Sequence, residues 1–377
     1  MKTYKHLGPF SDILNVVRDT GPYLPWAKPG PQTRKLLRDA LAFWPRSEKP
    51  RAVKVGRRWE RDGVAGEEVS WSVGYGPRTK AWVFRPAGVK GKLPGVVALH
   101  CHGAYKFYGK EKVANGPAGC PRELRTMRRK YYGNRAFANA LAREGFVVLA
   151  HDTFSWGSRG MPVSALPRFD REAGKLVAQW MWGKDEPRHI AEYNSATHFN
   201  EATLAKYCLL LGTTLGGVVN YEDRVAVNYL LSRPDVKGPR VGCVGQSGGG
   251  LRAALLQATC DRIGASVSSG SMITFEAMLD QFVAPHNWMF YLPGWTRHGE
   301  WPDVAACRAP SPLMTINALA DELFSERGMK AAHQRIAKSY RLAGKPSNYE
   351  GKFHPGHHRF DLAMQTEAFE FLSKHLK

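Results

Sequence analysis

The stretch Val241-Gly-Cys-Val-Gly245-Gln246-Ser247-Gly248-Gly249-Gly250, running on into Leu251-Arg-Ala-Ala-Leu-Leu-Gln-Ala-Thr259, decides how this chain folds. A short apolar run bounded by glycine has the pattern of a strand buried on both faces, and the run after it has that of a helix. Between them lies G-x-S-x-G. At so tight a strand-to-helix turn, small flanking residues let the backbone crowd together and the serine is thrust out above the sheet. The positive end of the following helix then faces any negative charge that develops beside the hydroxyl. A phosphate-binding loop is the competing use of a glycine-rich turn. It needs G-x-G-x-x-G or a lysine after the glycines, and this stretch has neither.

The same rhythm extends outward. Gly95-Val-Val-Ala-Leu-His100 is a second buried-strand run, ending in His100-Cys-His-Gly103. A helix over 136–143 leads to a strand over 146–150, and a helix over 221–232 leads to the strand at 241–244. Beyond the serine come strands at 263–268 and 312–317 and helices over 330–342 and 362–376. Strands alternating with helices predict an α/β fold with a mostly parallel central sheet flanked by helices. Ahead of it, alternation on both sides of Gly74-Tyr-Gly-Pro77 predicts two antiparallel strands within 57–86. Residues 1–60, rich in Pro, Trp and basic residues with one helix over 31–43, read as an N-terminal extension to a main domain at 61–377. Two stretches break the rhythm, about 155–215 and 270–305, and are expected as cap or pocket insertions because they follow strand ends.

Composition narrows the field. Of 377 residues 43% are hydrophobic and 23% charged, which is globular and excludes intrinsic disorder and a disulfide-stapled miniprotein. Lys and Arg outnumber Asp and Glu by 54 to 33, a net charge of +21 that attracts anions. The charge is dispersed and no recognition motif accompanies it, so no nucleic-acid partner is expected, and 122–135 reads as a solvated basic helix face. No apolar run approaches ~18 residues, so no membrane span is expected. Six cysteines without a CxxC pair read as reduced, buried hydrophobes. With no signal-peptide core at the start, they imply a cytoplasmic location, or a secreted or periplasmic one if a leader has been removed. Oligomeric state is not legible.

Taken together, Leu93-Pro-Gly-Val-Val-Ala-Leu-His-Cys-His-Gly103, the strand end at 151–160, the run 232–250 and His357-His-Arg-Phe360 resemble the α/β-hydrolases near the dienelactone hydrolases and acetyl xylan esterases. The resemblance covers roughly 60–377. It implies the α/β-hydrolase fold and a serine esterase with a catalytic triad that works through an acyl-enzyme, with no metal or organic cofactor. Ser247 is the implied nucleophile. The order in this fold is serine, acid, histidine, which selects Asp321, with Ala318 standing where relatives carry glycine. Glu322 is the neighbour to exclude, and a loop Asp capping the next helix is the plain alternative. For the base, the relatives' H-x-F spacing selects His358 and a Gly-His reading selects His357. His358 is favoured, and His354 is read as structural. The oxyanion hole is expected from the N–H of Gly248, rather than Gln246, and from that of Ala104 or Tyr105.

His102, Trp156, Trp288 and Trp295 are the candidate substrate-binding residues, with Trp180, Trp182, Tyr291 and Trp301 as further candidate walls of an apolar acyl or aryl pocket, although ordinary packing within the cap is the favoured reading for any one of these insertion aromatics. The implied partner is a small-molecule or glycan ester: an acetylated or uronate-containing glycan, or a small aryl or alkyl ester. The same triad also cleaves thioesters, lactones, peptides or carbon–carbon bonds. An inactive scaffold that binds an anionic ligand is the non-enzymatic alternative. A zinc reading of His100 and His102 with His354, His357 and His358 leaves the elbow serine without a role. Arg159, Arg188, Arg297 and Arg308 fall in or beside the insertions and read either as solvated surface or as a pocket rim that steers anionic esters.

Overall fold

In the computed structural model, which describes residues 3–377, nine strands form one sheet. The first two residues of the N-terminal extension lie outside the described residues. The strands are β1 (Arg51–Arg61), β2 (Val64–Ser72), β3 (Thr79–Pro86), β4 (Leu93–Leu99), β5 (Val147–His151), β6 (Val236–Gln246), β7 (Ile263–Ser269), β8 (Leu313–Ala318) and β9 (Tyr349–His354). Their order is β1-β2-β3-β5-β4-β6-β7-β8-β9. The pairs β1–β2, β2–β3 and β3–β5 are antiparallel, and every pairing from β5 onward is parallel.

Helices α1 (Ile13–Asp19) and α2 (Pro31–Leu41) precede the sheet, and α3 (Leu124–Tyr132) and α4 (Phe137–Arg143) join β4 to β5. Then come α5 (Arg168–Trp182), α6 (Arg188–Leu210), α7 (Leu215–Ser232) and α8 (Gly248–Thr259). The last are α9 (Phe275–Met278), α10 (Trp301–Ala306), α11 (Glu326–Leu342) and α12 (Leu362–Leu376).

Strand period explains the two faces. In β4, Val96 and Ala98 pack with Phe137 and Leu141 of α4 and Met364 and Ala368 of α12, while Val97 and Leu99 pack with Val225 of α7 and Ala253 of α8. The strand is continuous in hydrophobicity because both sides are covered. Each buried Val, Leu, Phe or Met among these contributes about 1.5–3 kcal/mol relative to exposure.

Two strands depart from the sequence expectation. β1 adds a third antiparallel strand and crosses the boundary placed at residue 60, so the extension's last residues belong to the sheet. It is nearly all exposed, and its Lys54, Arg57, Arg58 and Arg61 mask the alternation. Such basic edges deter edge-to-edge pairing. At the other edge, β9 was not read as a strand because its residues are half-buried and show no alternation. Helix α3 also differs from a wholly solvated basic face. Arg128 is buried and donates to the carbonyls of Lys112 and Ala114 at 3.2 and 2.6 Å.

The insertions carry α5, α6, α9 and α10. Helices α5 and α6 pack closely where Gly174 meets Ala196: a Cβ there would lie 2.7 Å from the Ala196 nitrogen. No single helix among the described residues is long and apolar enough to cross a membrane. All six cysteines are free, and five of them are buried.

Candidate active site

Between β6 and α8 the chain turns so sharply that Ser247 takes φ 58° and ψ −124°, a conformation costing of order 1–3 kcal/mol in a non-glycine residue. The surroundings enforce it. The Ser247 N–H donates to the Ser269 carbonyl at 2.8 Å, and the Ser247 carbonyl accepts from Leu251 at 2.9 Å as α8 begins. Close approach explains the glycines: a Cβ on Gly249 would lie 2.3 Å from the Leu99 carbonyl oxygen.

Ser247 opens on a cavity of about 220 Å³. His358 lines the same cavity, 6% exposed, and its Nδ1 lies 2.5 Å from Asp321 Oδ2. Asp321 sits just beyond β8, where its other carboxylate oxygen accepts from Leu323 N at 2.9 Å. An Nδ1–H donated to a carboxylate leaves the neutral imidazole with its Nε2 lone pair as acceptor. That lone pair faces the Gln246 side-chain amide, 2.7 Å away. The imidazole is further held by Phe324, stacked at 6.1 Å, and Tyr131, edge-on at 6.3 Å. Gly270, at φ +55°, leaves room for it: a Cβ there would lie 3.0 Å from His358 Cε1.

The other histidines go elsewhere. His357 turns outward, with Nε2 3.4 Å from the Lys130 carbonyl, and His354 pairs with Glu367 at 3.1 Å. Glu322 accepts from the His358 backbone N–H at 3.3 Å, so it meets the main chain and not the imidazole. His100 is buried at the end of β4 and held well below the ordinary histidine range by burial. Among the described residues, no three His, Cys, Asp or Glu side chains converge as a metal ligand set.

The loop after β4 changes one expectation. The Ala104 N–H donates to His102 Nδ1 at 2.9 Å and the Tyr105 N–H to the His102 carbonyl at 3.3 Å, so neither amide is aimed at the cavity. The His102 nitrogen is the one beside the elbow: a Cβ on Gly248 would lie 2.7 Å from it. Of the three loop amides, it is that of His102 which stands beside Gly248 at the elbow. Accepting at Nδ1 fixes His102 as the Nε2–H tautomer, which donates to Glu201 Oε2 at 2.6 Å. Glu201 comes from α6 and also binds Lys106 Nζ at 2.6 Å and the Trp288 N–H at 3.1 Å. Burial opposes its charge, but His102 and Lys106 prevail and hold its carboxyl well below the usual range.

The aromatic walls are also revised. Apart from His102, none of the proposed substrate-binding residues lines the cavity. Trp156 is buried beneath the loop, its Nε1 donating to the His102 carbonyl at 3.3 Å. Trp295 and Trp301 are wholly buried and packed in the core, Trp180 is exposed on α5, and Trp288 is on the surface. Trp182 packs beside Tyr105, and Tyr291 is tied to the Val283 carbonyl at 2.8 Å. A tryptophan-rich insertion must first satisfy its own packing. The apolar lining comes instead from Met127, Tyr131, Phe290, Leu323 and Phe324. His198 and His286 add polar edges. His286 is pushed down to about 4 by burial and by His358, so it is neutral near pH 7.

The four arginines weighed for the rim are engaged elsewhere or point outward. Arg159 is buried against Glu222, and Arg308 donates to the carbonyls of Gln257, Cys260 and Ile263. Arg188 is exposed and paired with Glu192, and Arg297 is exposed. Among the described residues, no Lys or Arg lines the cavity.

Comparison with known proteins agrees with this architecture. A family model described as "BAAT / Acyl-CoA thioester hydrolase C terminal" matches residues 221–286, which run from within α7 through the elbow and β7. YtaP of Bacillus subtilis (strain 168), named as a hydrolase, is 24% identical over 346 residues, covering 92% of this chain and 99% of that one. Among solved structures, a protein of Bacteroides fragilis NCTC 9343 named as an acetyl xylan esterase superposes with a TM-score of 0.65 at 17% identity, covering 92% of this chain and 82% of that one. The glucuronoyl esterase from Solibacter usitatus gives 0.62 at 14% identity, with 92% of each chain covered. Sheet order, elbow and these likenesses together assign the chain to the α/β-hydrolase fold.

Proposed function

We propose that the chain is a serine carboxylic-ester hydrolase that forms an acyl-enzyme on Ser247. The observation that carries this is the buried Asp321–His358 pair at 2.5 Å, opening on the same cavity as a serine held at positive φ. A serine hydroxyl is hardly ionised at neutral pH and needs such a base, oriented by such an acid. In the resting state the Gln246 amide occupies the His358 lone pair. Once the amide swings aside, Ser247 Oγ takes that place, His358 accepts its proton, and Oγ bonds the ester carbonyl carbon. The carbonyl oxygen, now negative, is met by the N–H groups of Gly248, at the start of α8, and of His102, on the loop after β4, in a preorganised site. His358 then protonates the departing alcohol, and water repeats the sequence to release the acid.

The small cavity, lined by no lysine or arginine among the described residues, supports a compact, neutral acyl group, such as acetyl, on a larger alcohol outside it. The name of one structural neighbour, an acetyl xylan esterase, supports a glycan as that alcohol, and that of the glucuronoyl esterase, whose sugar lies on the acyl side, supports a glycan ester only in the broader sense. The match to the acyl-CoA thioester hydrolase family model favours a second reading, the same triad acting on a thioester.

The test is turnover of p-nitrophenyl acetate, acetylated xylan oligosaccharides and an acetyl thioester by wild type and Ser247→Ala. The variant should fold normally and lose about 10⁴-fold or more in kcat on every substrate the wild type cleaves. Near-wild-type turnover would defeat the serine mechanism.

A further inference from the structure

Lys112 has no part in the triad, yet it is fully buried beside the active site, 0% exposed. Its Nζ donates to three carbonyls of one loop: Cys101 at 2.7 Å, Tyr105 at 3.0 Å and His102 at 3.1 Å. These engage all three protons of an ammonium. The turn that carries it is held in place by Arg128, bonded to the carbonyls of Lys112 and Ala114. The Cys101 carbonyl belongs to the same peptide unit as the His102 N–H, the amide that stands beside Gly248. Hydrogen bonds in series polarise one another, by roughly 10–30% per bond, and a charge in a low-dielectric interior acts more strongly than in water.

We propose that Lys112 is a positioning residue of the oxyanion hole: its ammonium fixes the loop and, through the Cys101 carbonyl, makes the His102 N–H a stronger donor to a developing oxyanion. This rests on reading Ser247 as the nucleophile and His102 as a donor. It also explains a costly feature, since an ammonium buried for packing alone would be better replaced by an apolar side chain.

Burial pushes the Lys112 ammonium down to about 8; the Arg252 guanidinium acts in the same direction, and Cys101, Asp152 and Glu111 oppose it. His100 is the other titratable neighbour, and its own charge is suppressed by burial. The sign of the consequence is unusual. Activity should fall as pH rises through about 8 and the charge is lost. The same group's contribution to stability rises over that range, because the unfolded chain, with a lysine near 10.4, binds the proton that the folded chain has released.

The experiment compares full-length wild type, Lys112→Met and Ser247→Ala on p-nitrophenyl acetate across the pH range, with kcat expressed per active site titrated by a fluorophosphonate for the first two and per chain for Ser247→Ala. Lys112→Met should lose roughly tenfold or more in kcat with little change in KM, and should lack the wild-type decline above pH 8. A purely structural lysine would lower the titre and thermal midpoint but not turnover per site. Unchanged turnover per site overturns the inference. If the variant does not fold, a wild-type kcat that stays flat to high pH overturns it equally, and a decline without a matching fall in thermal midpoint supports it. An active Ser247→Ala would overturn the serine reading and this inference with it, whereas an inactive Ser247→Ala beside an unaffected Lys112→Met defeats the inference alone.

Discussion

His357 and His358 are adjacent in sequence and separate in role. One imidazole is buried between Phe324 and Tyr131 with Asp321 on its Nδ1; the other lies against the surface carbonyl of Lys130. Residues acting as one catalytic unit lose activity nearly together. His358→Ala should therefore be about as inactive as Ser247→Ala, and His357→Ala should stay within roughly threefold of wild type in kcat/KM. Steady-state kinetics on p-nitrophenyl acetate distinguishes them, and the opposite ranking would move the base to His357. Spacing favoured His358 but left His357 open; the contact with Asp321 spans 37 residues and is visible only in the fold. Gln246 was weighed only for its backbone, since nothing in G-Q-S-G says where that side chain points.

At the scale of elements, the packing of α8 against the end of β4 ties the elbow to the loop that carries His102. Gly249 is where they touch. Its missing Cβ makes room for the Leu99 carbonyl oxygen, a backbone atom that cannot turn away. Gly249→Ala should cost about 1–3 kcal/mol or more through overpacking, with activity lost in proportion to the displaced loop. Chemical denaturation of the variant reads this directly, and an unchanged midpoint would mean that the two elements do not meet so closely. Strands β4 and β5 and the second half of β6 were legible because burial on both faces favours short apolar runs, whereas the exposed first half of β6 carries no such signal. β1 was hidden by its basic edge, and the insertions by their tryptophans, whose composition suits core, surface and pocket alike. Glu201 offered no signal at all: it lies 99 residues from His102 and meets it only because α6 folds back over the loop.

For the whole molecule, the net charge of +21 and the chemistry of the site are separate matters. Among the described residues no lysine or arginine lines the cavity, and surface charge is screened over a Debye length of ~10 Å at 0.1 M salt. A matched pair of anionic and neutral esters should therefore show no salt-sensitive preference in kcat/KM; a preference for the anion that fades with salt would restore electrostatic steering. The central claim concerns one atom, the Ser247 hydroxyl. Intact-protein and peptide mass spectrometry after treatment with a fluorophosphonate measures it most directly. The account predicts one adduct per chain, carried by the peptide containing Ser247 and absent from Ser247→Ala. A wild-type protein that is folded and hydrolytically active yet acquires no adduct there would contradict it.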